Sequence, residues 1–339
     1  MDIIVVFLIF IGIIGYYSSS KIQEPPQSCT ITTISIGEKI LFGNNEDFSL
    51  RGTGLWFVPS SETTYGFIGF GYLGNWHPSD RFTQGGMNEM GLSCDANALS
   101  SADLNRKSNL DRAKLDFFPT VLEECANINE TIEWFKSHNF GSTARGQYHF
   151  ADANGDAVII SAGKDGEWVF TTNQDKNYIL STNFNVVNPE NGWYPCWRYN
   201  TAEQHLDNFT HEENVTVSNL REIMAATVQD GKYSTQYINI FNPKTLDIYV
   251  WHRSNYSKTL ELNLADELQG LEKTEYHKIP VLLGGSDWFF PPQFPTFVAI
   301  GIGIVGLIVY IGLKIIKKRN AKKKQKENHN NKNINKSKE

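Results

Sequence analysis

The sequence predicts an α+β fold in which two stacked β-sheets are covered by helices on both outer faces. Strand-like runs come first, helical periodicity follows, and the chain then returns to strands, helices and strands again. This order of elements is the main basis for the predicted fold class. Aromatic residues make up 13% of the chain and glycines number 27, a composition that suits closely packed strands.

The individual elements follow from local periodicity. Alternating apolar residues predict strands, and apolar residues three and four positions apart predict helices. The first group of predicted elements comprises strands 30–36, 39–44, 55–58 and 65–72 and helices 113–126 and 131–137. The second group comprises strands 147–151, 157–161, 167–171 and 178–182, helices 198–209 and 215–228, and a hairpin of strands 236–241 and 245–251.

The N-terminal segment has the character of a removable leader. An apolar stretch, residues 3–17, has the length of a signal-peptide core and is short for a membrane span. A polar, proline-containing spacer follows it at 18–28. We predict that residues 1–28 are a signal peptide plus a propeptide. Because no positive charge precedes the apolar stretch, an uncleaved anchor is the alternative.

The C-terminal segment predicts a membrane anchor. The apolar run 297–313, with Lys314 reaching toward the interface, predicts a transmembrane helix over 294–316. The lysine-rich residues 317–339 predict a disordered cytoplasmic tail. Residues 29–290 are then expected as one domain outside the cytosol, at the cell surface or in an endomembrane lumen. Four Asn-x-Ser/Thr sites in this domain would permit glycosylation there.

Net charge and motif content argue against two classes of function. The formal net charge is −6 although the tail is basic, so the main domain is acidic and has no electrostatic case for binding nucleic acid. No CxxC pair or Cys/His spacing occurs, so we expect no metal site. The segment Gly69-Phe70-Gly71-Tyr72 lacks the strand-to-helix context of a phosphate-binding loop, and we predict no cofactor.

Cys29 begins a strand-like run directly after the predicted propeptide. Cleavage after Ser28 would make it an N-terminal residue that carries both a thiol and a free α-amine. The thiolate is the nucleophile, and a neutral α-amine, with a pKa of about 8, takes the thiol proton without a histidine. The alternative is a cysteine that is paired in a disulfide or simply buried in a strand.

Four sequence blocks occur in the order found in one enzyme family. They are Cys29-Thr30, segment 42–47 (Phe-Gly-Asn-Asn-Glu-Asp), segment 86–97 (which begins Gly-Met-Asn-Glu-Met-Gly-Leu and ends Asp-Ala-Asn) and segment 180–184 (Leu-Ser-Thr-Asn-Phe). In these blocks the chain resembles the N-terminal-nucleophile (Ntn) hydrolases of the choloylglycine hydrolase, penicillin V acylase and acid ceramidase type. Asn44 stands where the bile-salt and penicillin V enzymes have an arginine. The likeness is therefore nearer to the acyl-CoA:6-aminopenicillanate acyltransferase branch.

The resemblance implies a four-layer αββα sandwich and hydrolysis of a linear, non-peptide C–N amide bond through a thioester. It implies that Cys29 is the nucleophile, that Asp47 positions its amine or thiol, and that Asn183 donates to the oxyanion. Asn97 is a second polar contributor, and Arg198 matches a later arginine of the bile-salt branch only loosely. The alternatives are structural: a turn or loop role for Asp47, Asn183 and Asn97, and an ordinary helix start for Arg198.

Three functions stay open from the sequence. The leading hypothesis is hydrolysis of a small-molecule N-acyl amide by an enzyme that is attached to the membrane through its C-terminal helix. An acyltransferase would differ only in letting an amine replace water at the thioester. A catalytically inactive receptor ectodomain, with Cys29 in a disulfide, is the third. The walls of a substrate pocket are expected from the loops 48–57 and 185–197.

Overall fold

A computed structural model of the protein describes residues 29–49, 52–73, 81–173, 176–192, 194–285 and Lys314. The chain divides into two compact units, Met1–Asp287 and Trp288–Glu339, and nearly all described residues belong to the first. The predicted leader and tail lie outside the described residues, as does the predicted span apart from Lys314. No helix within the described part of the chain has the length and apolar character needed to cross a membrane.

The described residues form mostly antiparallel strands. In chain order the strands are β1 (Thr30–Ile36), β2 (Lys39–Asp47), β3 (Thr53–Val58), β4 (Phe67–Leu73), β5 (Arg81–Asn88), β6 (Ser93–Asp103), β7 (Asp111–Arg112), β8 (His138–Asn139), β9 (Thr143–Ala151), β10 (Ala157–Ala162), β11 (Trp168–Thr172), β12 (Tyr178–Ser181), β13 (Phe184–Asn185), β14 (Asn188–Gly192), β15 (Thr235–Asn242), β16 (Asp247–His252), β17 (Leu260–Asn263) and β18 (Glu275–Lys278). The helices are α1 (Phe118–Glu124), α2 (Ile128–Ser137), α3 (Trp197–Leu206), α4 (Val217–Ala226), α5 (Leu264–Leu268) and α6 (Ile279–Leu282), with a 3₁₀ turn at Glu212–Asn214.

Two large sheets organise these strands. The first sheet has the order β12-β1-β2-β15-β16-β17 and the second has the order β11-β10-β9-β6-β5-β4-β3-β18. Every neighbouring pair in both sheets is antiparallel. Neighbouring strands within each sheet therefore place directly opposed residues on the same face.

Three apolar clusters separate four layers. The central cluster lies between the sheets, where Phe42 and Phe241 of the first sheet meet Phe70 of the second. A second cluster packs α3 and α4 on the outer face of the first sheet, and Leu220 of α4 contacts it at Gly43. A third packs α1 and α2 on the outer face of the second sheet, centred on Phe135. The layer order is helices, sheet, sheet, helices.

This arrangement confirms the predicted α+β sandwich. Each strand and helix predicted between residues 29 and 260 has a counterpart, with bounds that differ by a few residues. The predicted helix 113–126 is shorter, because α1 begins at Phe118 with Pro119 in its first turn. The stretch 260–282, for which we predicted no elements, forms β17, α5, β18 and α6.

The sequence prediction also missed β5 and β6, which form the middle of the second sheet. Glycines hide the strand pattern of β5 and are required by its packing. A Cβ atom on Gly86 would lie 2.3 Å from the carbonyl oxygen of Ile68, and one on Gly85 would lie 2.4 Å from Oδ2 of Asp95. The turn after β5 needs Gly91, whose φ of 84° is in the left-handed region.

Candidate active site

The ends of four strands meet around Cys29, which directly precedes β1. Thr30 pairs with Asn45 of β2, so the next position places Cys29 opposite Glu46. On the other side β1 pairs with β12, and Asn183 follows that strand by two residues. Thr235, the first residue of β15, pairs with Asp47 at the end of β2. Strand register alone therefore collects residues far apart in the sequence.

Arg198 connects these strand ends. It lies in the first turn of α3 and is buried. Its Nη1 donates to the carbonyl oxygen of Cys29 at 2.9 Å and to Oγ1 of Thr30 at 3.2 Å, while Nη2 donates to Oδ1 of Asn183 at 3.1 Å. The same Nη1 lies 3.6 Å from Oδ2 of Asp47. The planar guanidinium group, with its five fixed donors, suits this bridging position.

The two asparagines are held by backbone carbonyls. Nδ2 of Asn97 donates to the carbonyl oxygen of Cys29 at 3.1 Å, which gives that oxygen a second donor besides Arg198. Nδ2 of Asn183 donates to the carbonyl oxygen of Ala98 at 2.8 Å. In this arrangement Asn97 anchors the backbone of Cys29, and Asn183 is oriented from both ends of its amide.

Asp47 is a buried carboxyl between two partners. The hydroxyl of Thr235 donates to its Oδ1 at 2.5 Å, and Arg198 faces its other oxygen. Burial raises the pKa of Asp47 to about 8, and both Arg198 and Thr235 oppose that rise. The backbone N–H of Asp47 interacts with the Cys29 thiol and favours the thiolate. Asp47 is therefore more than a turn residue that ends a strand.

The Cys29 side chain lies on the wall of a cavity of about 350 Å³ and is only 5% exposed. Desolvation raises the pKa of this thiol well above its ordinary value, and Glu46, Asp95 and Asp47 add to the rise. Apart from the site residues, the walls are mainly apolar and aromatic, with contributions from Phe48, Phe82, Ala96, Ala98, Leu115, Phe117, Phe118 and Tyr148.

The prediction that loops 48–57 and 185–197 form the pocket walls is mostly wrong. Of the loop 48–57 only Phe48 lines the cavity, and no described residue of the loop 185–197 does. Tyr194 and Trp197 are instead more than half exposed. The walls come from strands β5, β6 and β9 and from the segment just before α1, because these elements face the Cys29 end of β1.

All five predicted site residues are brought together. Cys29, Asp47 and Asn97 line the cavity, whereas Arg198 and Asn183 do not and support Cys29 from behind. All four cysteines are free, so the disulfide expected for an inactive ectodomain is not formed. No group of metal-binding side chains occurs among the residues that the structure describes.

Gln147 is a further site residue that sequence reasoning missed. From β9 its Nε2 donates to the carbonyl oxygens of Thr182 and Phe184, each at 2.8 Å, on either side of Asn183. Its Oε1 accepts from Ser161 at 3.0 Å and from the backbone of Val186 at 3.2 Å. No sequence pattern marks a single glutamine within a strand. Its contacts make it a positioning residue for Asn183.

We expect Gln147→Met to lower kcat about tenfold with little change in KM. The backbone on both sides of Asn183 loses its hydrogen bonds from Gln147, whereas the cavity walls are unchanged. Asn88→Leu is the matched control. Asn88 is also buried and hydrogen-bonded through both ends of its amide, but it lies outside the cavity. Its Nδ2 donates to the carbonyl oxygens of Leu122 and Cys125, each at 2.8 Å, and its Oδ1 accepts from two backbone N–H groups. Steady-state kinetics and thermal unfolding should show both variants destabilised but only Gln147→Met slowed. Equal loss of kcat in both would contradict the positioning role.

Comparison with solved structures identifies the class of fold. A single-residue variant of the conjugated bile acid hydrolase from Clostridium perfringens matches with a TM-score of 0.57 and 14% identity over 74% of this chain and 97% of that chain. Penicillin V acylase from Agrobacterium tumefaciens matches with a TM-score of 0.56 and 12% identity over 73% of this chain and 90% of that one. At such identities the likeness shows the fold alone, that of an Ntn-hydrolase sandwich.

The family follows from the sequence itself. The model of the acyl-coenzyme A:6-aminopenicillanic acid acyl-transferase family matches residues 36–260, about two thirds of the chain. The chain belongs to this family. A comparison with curated proteins gives no match. The matched range begins after Cys29, so the role of that residue depends on the geometry of the site.

Proposed function

We propose that the protein hydrolyses a linear, non-peptide C–N amide bond with the Cys29 thiol as nucleophile. One observation carries the proposal: Cys29 lies on the wall of a mainly apolar cavity with its backbone carbonyl held by both Arg198 and Asn97. A fixed backbone and a thiol that faces a substrate-sized cavity are what an acyl-forming nucleophile needs. The fold and the family support the same reaction class.

The proposed reaction needs a free amine on Cys29. Cleavage after Ser28 supplies it, and the neutral amine accepts the thiol proton while sulfur attacks the amide carbon. The tetrahedral oxyanion forms in the cavity beside Cys29, and the proton passes to the leaving amine as the C–N bond breaks. Water then hydrolyses the thioester. The aromatic walls suit an apolar acyl group, with the amine portion toward the cavity mouth.

Mass spectrometry tests this proposal directly. We expect the intact mature protein to begin at Cys29, and we expect brief incubation with N-acyl amines to leave an acyl group on the peptide that starts at this residue. Cys196 is a matched control thiol, because it is equally buried and does not line the cavity. An active protein that retains residues before Cys29 would contradict the mechanism.

Acyl transfer is a second candidate, and the family match favours it. The two reactions share the thioester and differ only in whether water or an amine resolves it. Adding 6-aminopenicillanic acid during turnover separates them. A transferase forms the acylated amine at the expense of free acid, whereas a hydrolase releases the acid at an unchanged rate.

We also infer from the sequence that the catalytic domain, residues 29–290, lies outside the cytosol and is held at a membrane by residues 294–316. The apolar run and the lysines that follow it support this orientation. Membrane attachment would favour N-acyl lipids among the possible substrates. Protease protection in sealed vesicles, compared with detergent-opened ones, tests the orientation independently of activity.

A further inference from the structure

A buried group of polar side chains lies between the two sheets, beside Cys29. At its centre are two carboxyls, Glu46 from β2 and Asp95 from β6, both essentially inaccessible to solvent. We propose that Glu46, backed by Asp95, accepts the thiol proton of Cys29. This inference rests on the proposed function and assigns it a general base in addition to the α-amine.

Strand geometry places Glu46 beside the thiol. Glu46 lies opposite the Cys29 position across β1 and opposite Tyr237 across β15, so all three side chains share the face toward the second sheet. Oε1 of Glu46 accepts a hydrogen bond from Nε2 of Gln84. Its Oε2 is buried without a hydrogen bond of good geometry, and the Cys29 thiol interacts with this carboxyl as a donor.

Asp95 faces Glu46 from the opposite sheet. Asn44 joins them: its Nδ2 donates to Oδ2 of Asp95 at 2.7 Å and also interacts with Glu46. Oδ1 of Asp95 accepts from the backbone N–H of Ala96 at 2.7 Å. Gly85 leaves the space that the Asp95 carboxyl occupies.

Two such carboxyls cannot both be ionised at neutral pH. No Lys, Arg or His side chain of the described residues forms an ion pair with either one. Burial raises the pKa of Glu46 to about 8, and burial with the Glu46 charge raises the pKa of Asp95 well above its usual range. The pair therefore holds at least one proton near neutrality, and the two carboxyls titrate as a coupled pair rather than independently.

The groups that face this pair come from every surrounding strand. They are Cys29 before β1, Asp47 on β2 and Tyr237 on β15, with Arg198 of α3 reaching Asp47 from the other face of the sheet. Tyr237 stays neutral because burial and the same carboxyls raise its pKa well above the ordinary value. When Glu46 and Cys29 together lose one of their two protons, the remaining proton lies either on the Glu46 carboxyl or on the Cys29 thiol.

Self-cleavage of the uncut chain needs a base other than the α-amine, and Glu46 would supply it. There the nitrogen of Cys29 is an amide, which cannot take a proton from the thiol. With Glu46 as acceptor, sulfur attacks the carbonyl carbon of Ser28 and the C–S bond forms. The proton then passes from Glu46 to the nitrogen of Cys29 as the C–N bond breaks. Water hydrolyses the thioester and leaves the α-amine free.

The pH profile of Cys29 alkylation by iodoacetamide tests the proposal on the full chain. In the wild type the second-order rate should rise with an apparent pKa near that of Glu46, about 8. Glu46→Gln keeps the shape and the Gln84 contact but cannot accept a proton. We expect its profile to move to higher pH by at least about one unit, a tenfold slower reaction at pH 8.

Asp95→Asn is the matched control, because the Glu46 charge raises the pKa of Asp95, so Asp95 keeps the proton of the pair when Glu46 ionises. This variant replaces a neutral carboxyl with a neutral amide, and its profile should stay near that of the wild type. A shift to higher pH in Glu46→Gln alone supports proton transfer to Glu46. A shift to lower pH in Glu46→Gln, or no shift, would show that Glu46 does not accept the proton and would overturn the proposal. Glu38→Gln, on the exposed turn of the same hairpin, should leave the profile unchanged.

Unfolding supplies a second readout that needs no catalysis. A carboxyl whose folded pKa is raised stabilises the native state at low pH, and this contribution is lost as pH rises toward the folded pKa. The free energy of unfolding should therefore fall between about pH 5 and 9, and less steeply in Glu46→Gln; an unchanged slope would overturn the buried proton. Both readouts need only the folded thiol, so failure of the amidase proposal is recognised separately, by turnover in Cys29→Ala.

Discussion

Replacing Cys29 with alanine is expected to reduce amide hydrolysis by about 10⁴-fold or more. The cavity and its walls stay intact, because the side chain contributes little volume, but no thioester can form. The same variant should retain its leader, since the proposed self-cleavage uses the same sulfur. Steady-state kinetics and intact mass spectrometry of the purified full chain measure both effects.

Cys125→Ala is the control for this result. Its thiol is buried at the end of α1 and does not line the cavity, so it is out of reach of a bound substrate. This variant should keep wild-type turnover with a modest loss of stability. Wild-type hydrolysis by Cys29→Ala would mean that another group is the nucleophile, and the proposed function would then be wrong.

Arg198→Met is expected to have the largest effect on stability, about 3–5 kcal/mol in the free energy of unfolding. The change removes donors from Cys29, Thr30 and Asn183 and leaves the buried Asp47 without its positive neighbour. Because Arg198 lowers the pKa of Asp47, its removal raises that pKa further. The loss should therefore be greater at pH 9, where an isolated Asp47 must ionise, than at pH 6.

A double-mutant cycle separates the charge from the packing. Adding Asp47→Asn to Arg198→Met removes both partners, so stability should recover in part and lose its extra dependence on pH. Chemical unfolding at the two pH values measures each corner of the cycle. Purely additive effects would mean that Arg198 and Asp47 do not interact energetically, whatever their 3.6 Å separation.

The fold was predictable where local pattern and tertiary structure agree. The hairpin of β1 and β2 shows plain alternation around a short turn with Gly37 at a φ of 59°, and its strand starts were predicted correctly. The pattern failed in β5, where glycines serve the close approach of neighbouring strands. It also failed for β18, which is held by pairing with β3 across a long sequence separation.

The candidate site was predictable in its members but not in its geometry. The resemblance selected Asp47 and Asn97, yet only the structure places the Asn97 amide on the carbonyl of Cys29. Glu46 carried a usable signal, because alternation along β2 puts it on the same face as the buried Phe42. Gln147 carried none, since its five partners are distributed over distant segments.

Arg198 and Asn97 both hold the carbonyl oxygen of Cys29, an atom that the proposed cleavage after Ser28 would leave untouched. That cleavage would change only the nitrogen side of the residue, so the same two hydrogen bonds would hold it before and after the leader is removed. The newly made terminus would accordingly be an immobilised end rather than a fraying one. Activation would then require a single bond to break and no rearrangement of the surrounding scaffold.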